Sequence, residues 1–191
     1  MKKLLPFVVL FWIFCPSLFA QEPTATVDPG AILIELAFNG NLEGVQKLVG
    51  AGVPVESVNP DRSTSLMWAA YNGHSNVTAY LLEHGATVDS KDANGRTALI
   101  YASSGPFPKT VELLMNHGAD VNLQGTAEGF TALMMAAAEG HVGVVRLLLA
   151  HGARADILDR DGDTAEKFAR ERGQTEVLEL LGKPPAGSDP R

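Results

Sequence analysis

Residues 64–86 read TSLMWAAYNGHSNVTAYLLEHGA. Leu66, Ala69 and Ala70 recur at helical spacing, and Val77, Leu81 and Leu82 do so again. Gly73 breaks the pattern between them. The stretch predicts two short antiparallel helices. The first is rich in alanine, which lets backbones approach closely; the second is rich in leucine. Neither can cover its apolar face alone, so such a unit must stack on neighbours.

The neighbours are in the chain. Residues 97–119 read TALIYASSGPFPKTVELLMNHGA and residues 131–153 read TALMMAAAEGHVGVVRLLLAHGA. A weaker copy, AILIELAFNGNLEGVQKLVGAGV, precedes them, and TAEKFARERGQTEVLELLG follows. Thr64, Thr97, Thr131 and Thr164 stand 33, 34 and 33 residues apart, and Gly52, Gly85, Gly118 and Gly152 stand 33, 33 and 34 apart. Two independent markers thus hold one period. The segments between units carry DANGR, GTAEGF and DRDGD, which is turn chemistry, and should project from one edge as hairpin-like fingers.

This text resembles the ankyrin-repeat family, whose units open on T-P-L-H-x-A-A, link through Gly-His, run Val-x-x-Leu-Leu and close on Gly-Ala-Asp. The resemblance covers residues 28–182, nearly all of the chain after its leader. It implies an all-α solenoid of stacked helix-turn-helix units with β-turn or hairpin fingers. About five units, two of them caps, are expected at roughly 30–58, 59–91, 92–124, 125–158 and 159–182. The last has Glu166 where a buried leucine is expected and adds Lys167, Arg170, Glu171 and Arg172, the polar outer face that ends a stack. One departure concerns Met67, Ile100 and Met134, which stand where the family prefers histidine. Apolar packing is expected to replace the hydrogen bonds of that histidine.

The leader differs from the rest. Lys2 and Lys3 precede an apolar run from Leu4 to Cys15, then PSLFA, which reads as a secretory signal over residues 1–20 cut after Ala20. The alternative is an uncleaved anchor, although the run is short against the about 20 residues a bilayer needs. Removing residues 1–20 takes away two lysines and the single cysteine, so a net charge of −7 becomes 13 − 22 = −9. The expected compartment is the bacterial periplasm or outside the cell. Asn76-Val77-Thr78 would be a glycosylation acceptor only in a eukaryotic secreted protein. A linker over 21–29 and a disordered tail over 183–191 complete the organisation. The acidic balance argues against nucleic acid or an anionic membrane as partner, since both call for clustered Lys and Arg.

Five histidines invite a metal reading. His84, His117 and His151 each precede the glycine that follows a Leu-rich helix, while His74 and His141 open such helices. Equivalent residues of stacked units lie about 8–10 Å apart and point the same way. Zinc needs ligand nitrogens about 2.0–2.1 Å from one ion, so these histidines do not converge. They are read as helix-end residues, with glycine at a left-handed stop. No phosphate loop, nucleophile–base pair or acid–base carboxylate pair stands out. The chain is expected to be a non-enzymatic monomer with no cofactor and no metal; the alternatives are an accessory or protective factor for an exported enzyme, a metal-dependent enzyme, or a passive spacer or membrane-tethered stalk.

Function should then sit on the finger tips and the exposed side of the first helices, where the resemblance places a protein partner. Those positions include Asp61, Ser63, Asn94, Arg96, Glu128, Phe130 and Asp161 on the fingers. On the helices they are Phe38, Tyr71, Ser104, Ala138 and Glu171, with Asn39, Asn72 and Glu139 beside them. Phe38, Asp61, Ser63, Tyr71, Asn94, Arg96, Phe130 and Glu139 are the candidate partner-binding set. Phe38 and Tyr71 are equivalent residues of adjacent units and either meet the partner or cover a neighbouring helix. Phe130 lies in the one finger lengthened by a residue and admits the same two readings. Trp68, Tyr101, Met135 and Phe168, with Glu35 in the first unit, form a second column expected to pack between units. In the third unit SSGPFPKT replaces the Gly-His link, so Pro106 must stop the first helix by Gly105. Phe107 there either plugs the niche of His74 and His141 or makes a second contact site.

Overall fold

The computed structural model describes residues 28–182. The expected signal, the linker up to residue 27 and the tail from residue 183 lie outside them. Among the described residues the chain forms five helix pairs: α1 (Pro29–Phe38) and α2 (Leu42–Gly50), α3 (Ser65–Tyr71) and α4 (Ser75–Glu83), α5 (Ala98–Ser103) and α6 (Pro108–Asn116), α7 (Ala132–Glu139) and α8 (Val142–Ala150), α9 (Ala165–Glu171) and α10 (Thr175–Leu181). First helices pack on first helices and second on second, unit after unit. The stack begins slightly earlier than residue 30, because Asp28 caps α1 by accepting from Gly30 N–H.

The threonine marker is a helix cap. Thr64, Thr97, Thr131 and Thr164 each hold extended backbone and accept, through the side chain, the N–H three residues on. The methionines at the family's histidine position do more than pack. Met67 Sδ accepts the Thr64 N–H, and Met134 Sδ the Thr131 N–H, each at 3.4 Å. Ile100 offers no such acceptor.

The second marker closes each unit. Gly52, Gly85, Gly118 and Gly152 have φ between 85° and 91°, the left-handed stop expected. The histidine before the last three donates from Nδ1 to the carbonyl four residues back: His84 to Tyr80 at 2.8 Å, His117 to Leu113 and His151 to Leu147 at 2.9 Å. Each thus satisfies a carbonyl the helix end would leave open.

His74 and His141 tie units together. His74 Nε2 donates to Phe38 O at 3.0 Å and His141 Nε2 to Ser104 O at 3.1 Å. Gln174 repeats the bond to Ala138 O. Phe107 fills the same niche: its ring lies where a side chain on Gly73 would be, within 2.3 Å of that Cβ position. The plug reading holds, with the difference that Phe107 has no donor for the Tyr71 carbonyl. Pro106 stands where Gly40, Gly73, Gly140 and Gly173 take φ near 70°. A proline ring forbids that conformation, so α5 ends at Ser103.

The core is one column through all units, with Leu33, Leu66, Leu99 and Leu133 on the first helices and Leu81, Leu114 and Leu148 on the second, each 0–2% exposed. At the position of Leu133 the last unit has exposed Glu166, ion-paired to Arg170. Two buried hydroxyls, of Ser65 and Thr110, lack a hydrogen-bond partner. Equivalent units carry alanine at the first position (Ala98, Ala132, Ala165) and valine at the second (Val77, Val144, Val177). Thr110→Val is expected to raise stability by about 1 kcal/mol, because an unpaired buried hydroxyl is exchanged for a methyl. Urea unfolding checks it: the midpoint should rise at constant slope.

Candidate protein-binding face

The fingers are hydrogen-bonded turns with one antiparallel bridge, Val58 to Thr64, and among the described residues no strand forms. In three fingers an N–H bonds the carbonyl four residues on: Asn59 to Ser63, Asp92 to Arg96, Asp159 to Asp163. In the fourth unit the bond spans five, Gly125 to Phe130, which absorbs the extra residue. Adjacent fingers are joined through backbone. Ala93 N–H donates to Asp61 O at 2.8 Å, Thr126 and Ala127 N–H donate to Asn94 O at 2.7 and 3.0 Å, and Arg160 N–H donates to Glu128 O at 3.0 Å. The finger edge is therefore a continuous ladder on which side chains are displayed.

That ladder sorts the candidate residues. Asp61 and Asn94 bind through their carbonyls and leave their side chains exposed. Ser63 corrects the sequence reading: it is 2% exposed and is not available to a partner. It follows the finger tip, and Asn59 Oδ1 accepts its N–H at 2.8 Å, which turns it inward. Arg96 is half-buried and already engaged. Its Nε donates to Asp92 Oδ2 at 3.0 Å and its guanidinium lies 4.7 Å from the Tyr101 ring centroid. Phe130 is half-buried too, set edge-on against Phe168 with centroids 5.4 Å apart. Glu139 is exposed and paired with Arg172. Ala138 is 8% exposed, so the helix surface is closed there.

Phe38 and Tyr71 are 41% and 42% exposed. Trp68 stands between them. Its ring meets Phe38 at 5.6 Å and Tyr71 at 5.9 Å, both edge-to-face. Tyr101 extends the group, 5.9 Å from Trp68 and 6.0 Å from Tyr71. Such pairs each contribute about 0.5–1.5 kcal/mol beyond their burial, so the patch is stiff before anything binds. The Phe38 carbonyl is fixed by two donors of the next unit, Asn72 Nδ2 at 2.8 Å and His74 Nε2 at 3.0 Å. Sequence reasoning placed Trp68 in the packing column. It is half-buried and joins the exposed pair into one surface.

Asp92 anchors the rear of the patch. It is 5% exposed and accepts Asn94 N–H, Arg96 N–H, Arg96 Nε and, at 2.8 Å, the Tyr101 hydroxyl. Burial works to raise its pKa, but the Arg96 backbone bond, the Tyr101 hydroxyl and the Arg96 side chain outweigh it and hold the carboxyl below its ordinary value. Burial, reinforced by the bond to Asp92, pushes the Tyr101 phenol up to about 12. This group positions Tyr101 and Arg96.

Between α4 and α6 lies an open cavity of about 310 Å³ lined in part by Ser75, Asn76, Lys109 and Glu112. Among the described residues no group of three or more His, Cys, Asp or Glu is arranged to hold a metal ion, and no helix is long and apolar enough to cross a membrane.

A stack of short helix pairs with a backbone-bonded finger edge defines a repeat scaffold, which meets its partners with rows of side chains. The family model for ankyrin repeats in three copies matches residues 33–125 and again 107–191. The chain belongs to the ankyrin-repeat family, whose repeats generally mediate protein–protein interaction. No curated protein matches the chain.

Proposed function

We propose that this chain is an exported, non-enzymatic binding module that holds another protein on the face built by Phe38, Trp68 and Tyr71, with Asp61 and Asn94 at the finger edge. The carrying observation is the patch itself. Two aromatic residues more than two-fifths exposed lie on neighbouring units and are locked to a third ring between them. Soluble surfaces scatter large apolar groups; a rigid cluster of them fits an interface anchor. Export is proposed from Lys2-Lys3 and the apolar run to Cys15, and points to the periplasm or the exterior. The partner-binding unit acts as a monomer.

The test is cross-linked capture from the exported fraction with a Phe38→Ala/Tyr71→Ala variant. The variant is expected to keep its helical circular dichroism and to lose most of the captured partner. Equal capture by variant and parent would place the site elsewhere.

A further inference from the structure

We infer that the partner segment seated on Phe38, Trp68 and Tyr71 carries a cationic side chain, arginine or lysine, held between Glu35 and the aromatic rings. This rests on the reading of that face as the docking surface. Stacking sets equivalent residues of successive units in rows. Glu35 occupies in the first unit the position of Trp68 and Tyr101 in the next two, and precedes Phe38 by one helical turn. It is exposed, and among the described residues it has no cationic partner. The last two units differ: their first-helix carboxylates Glu139, Glu166 and Glu171 each pair with an arginine or lysine of the chain itself.

The third unit shows what such a pairing looks like. There Arg96 sits over the Tyr101 ring at 4.7 Å while its guanidinium meets Asp92 at 2.9 Å. Cation, carboxylate and ring thus form one group on this row. One unit earlier the position of Arg96 is Ser63, which carries no charge. Asn59 stands at the position of Asp92, so neither charge of that group recurs in the second unit, and the carboxylate on the row of Trp68 is Glu35, one unit before it. On the finger of the second unit Asp61 and Arg62 are consecutive and offset one another. With net charge −7 the chain draws cations toward it, and a cation over an exposed aromatic face is favourable.

The probe is a short Gly-Ser peptide with two arginines, compared with the same peptide bearing citrulline, which is neutral and of the same shape, and with one bearing glutamate. The full chain is titrated by nuclear magnetic resonance, reading the Trp68 indole signal, assigned with Trp68→Phe. The arginine peptide is expected to shift that signal saturably, more weakly as salt rises. The citrulline peptide and the Glu35→Gln variant should each bind about three- to tenfold more weakly. Equal binding of the citrulline or glutamate peptide, no shift with arginine, or an unchanged affinity in Glu35→Gln would overturn the inference. The two readings fail separately. If Phe38→Ala/Tyr71→Ala loses the captured partner but Glu35→Gln does not, the face stands and the cation falls. If neither loses it, both fall.

Discussion

Gly95→Ala should destabilise the protein by about 2–4 kcal/mol, where Gly85→Ala should cost only about 1 kcal/mol. Both glycines hold positive φ, 74° and 90°, which an alanine adopts at a cost of about 1–2 kcal/mol. They differ in what surrounds them. A Cβ on Gly85 meets nothing within 4 Å. A Cβ on Gly95 falls 2.4 Å from the backbone nitrogen of Thr126, on the next finger. That nitrogen cannot move away cheaply, because its N–H bonds Asn94 O at 2.7 Å. The substitution therefore separates the third and fourth fingers and releases both bonds to Asn94. Urea midpoints of the two variants measure the difference. Equal losses would mean that the finger ladder contributes nothing beyond local conformation.

Asp92→Ala is the second large effect, about 2–4 kcal/mol, because it leaves two turn N–H groups, the Tyr101 hydroxyl and Arg96 without their shared acceptor. Asp92→Asn keeps a carbonyl for the turn and should cost about half as much. The pH dependence has a definite sign on each side. The Asp92 carboxyl is held below its unfolded value near 3.8, so its contribution is present above about pH 4 and is lost as pH falls through the folded value. Tyr101 is raised from 10.0 to about 12, so its contribution is present below pH 10 and is lost as pH rises toward 12. Ultraviolet titration of the three tyrosines should show one ionising near pH 12, and Asp92→Ala should bring that step down. A Tyr101 step unmoved by Asp92→Ala would show that the bond between them does not control it.

The period was the most legible part of the molecule. Two markers repeat because each meets a fixed backbone requirement. Threonine caps the first helix and glycine ends the second. A sequence shows such requirements clearly, since few residue types can meet them. What lay on the finger edge was harder. Ser63, Arg96 and Phe130 occupy one repeat position, one residue before the capping threonine, and their fates diverge. Serine is turned inward, arginine is drawn to Asp92, and phenylalanine lies on Phe168 of the following unit. Each outcome depends on a contact across units, which spacing along one unit does not show. The same holds for Trp68, whose place between Phe38 and Tyr71 follows from stacking. The sulfur acceptors of Met67 and Met134 were missed because methionine reads as apolar in a helical pattern.

The central claim is that the aromatic face of the first units holds the partner. A photoreactive amino acid tests it most directly, placed in turn at Asn39, beside Phe38, and at Asn116, on the second-helix row. The account predicts that the position-39 probe forms a covalent adduct with the captured protein, that Phe38→Ala/Tyr71→Ala abolishes the adduct, and that the position-116 probe forms none. An adduct from position 116 alone, or one from position 39 that survives loss of both rings, would contradict it.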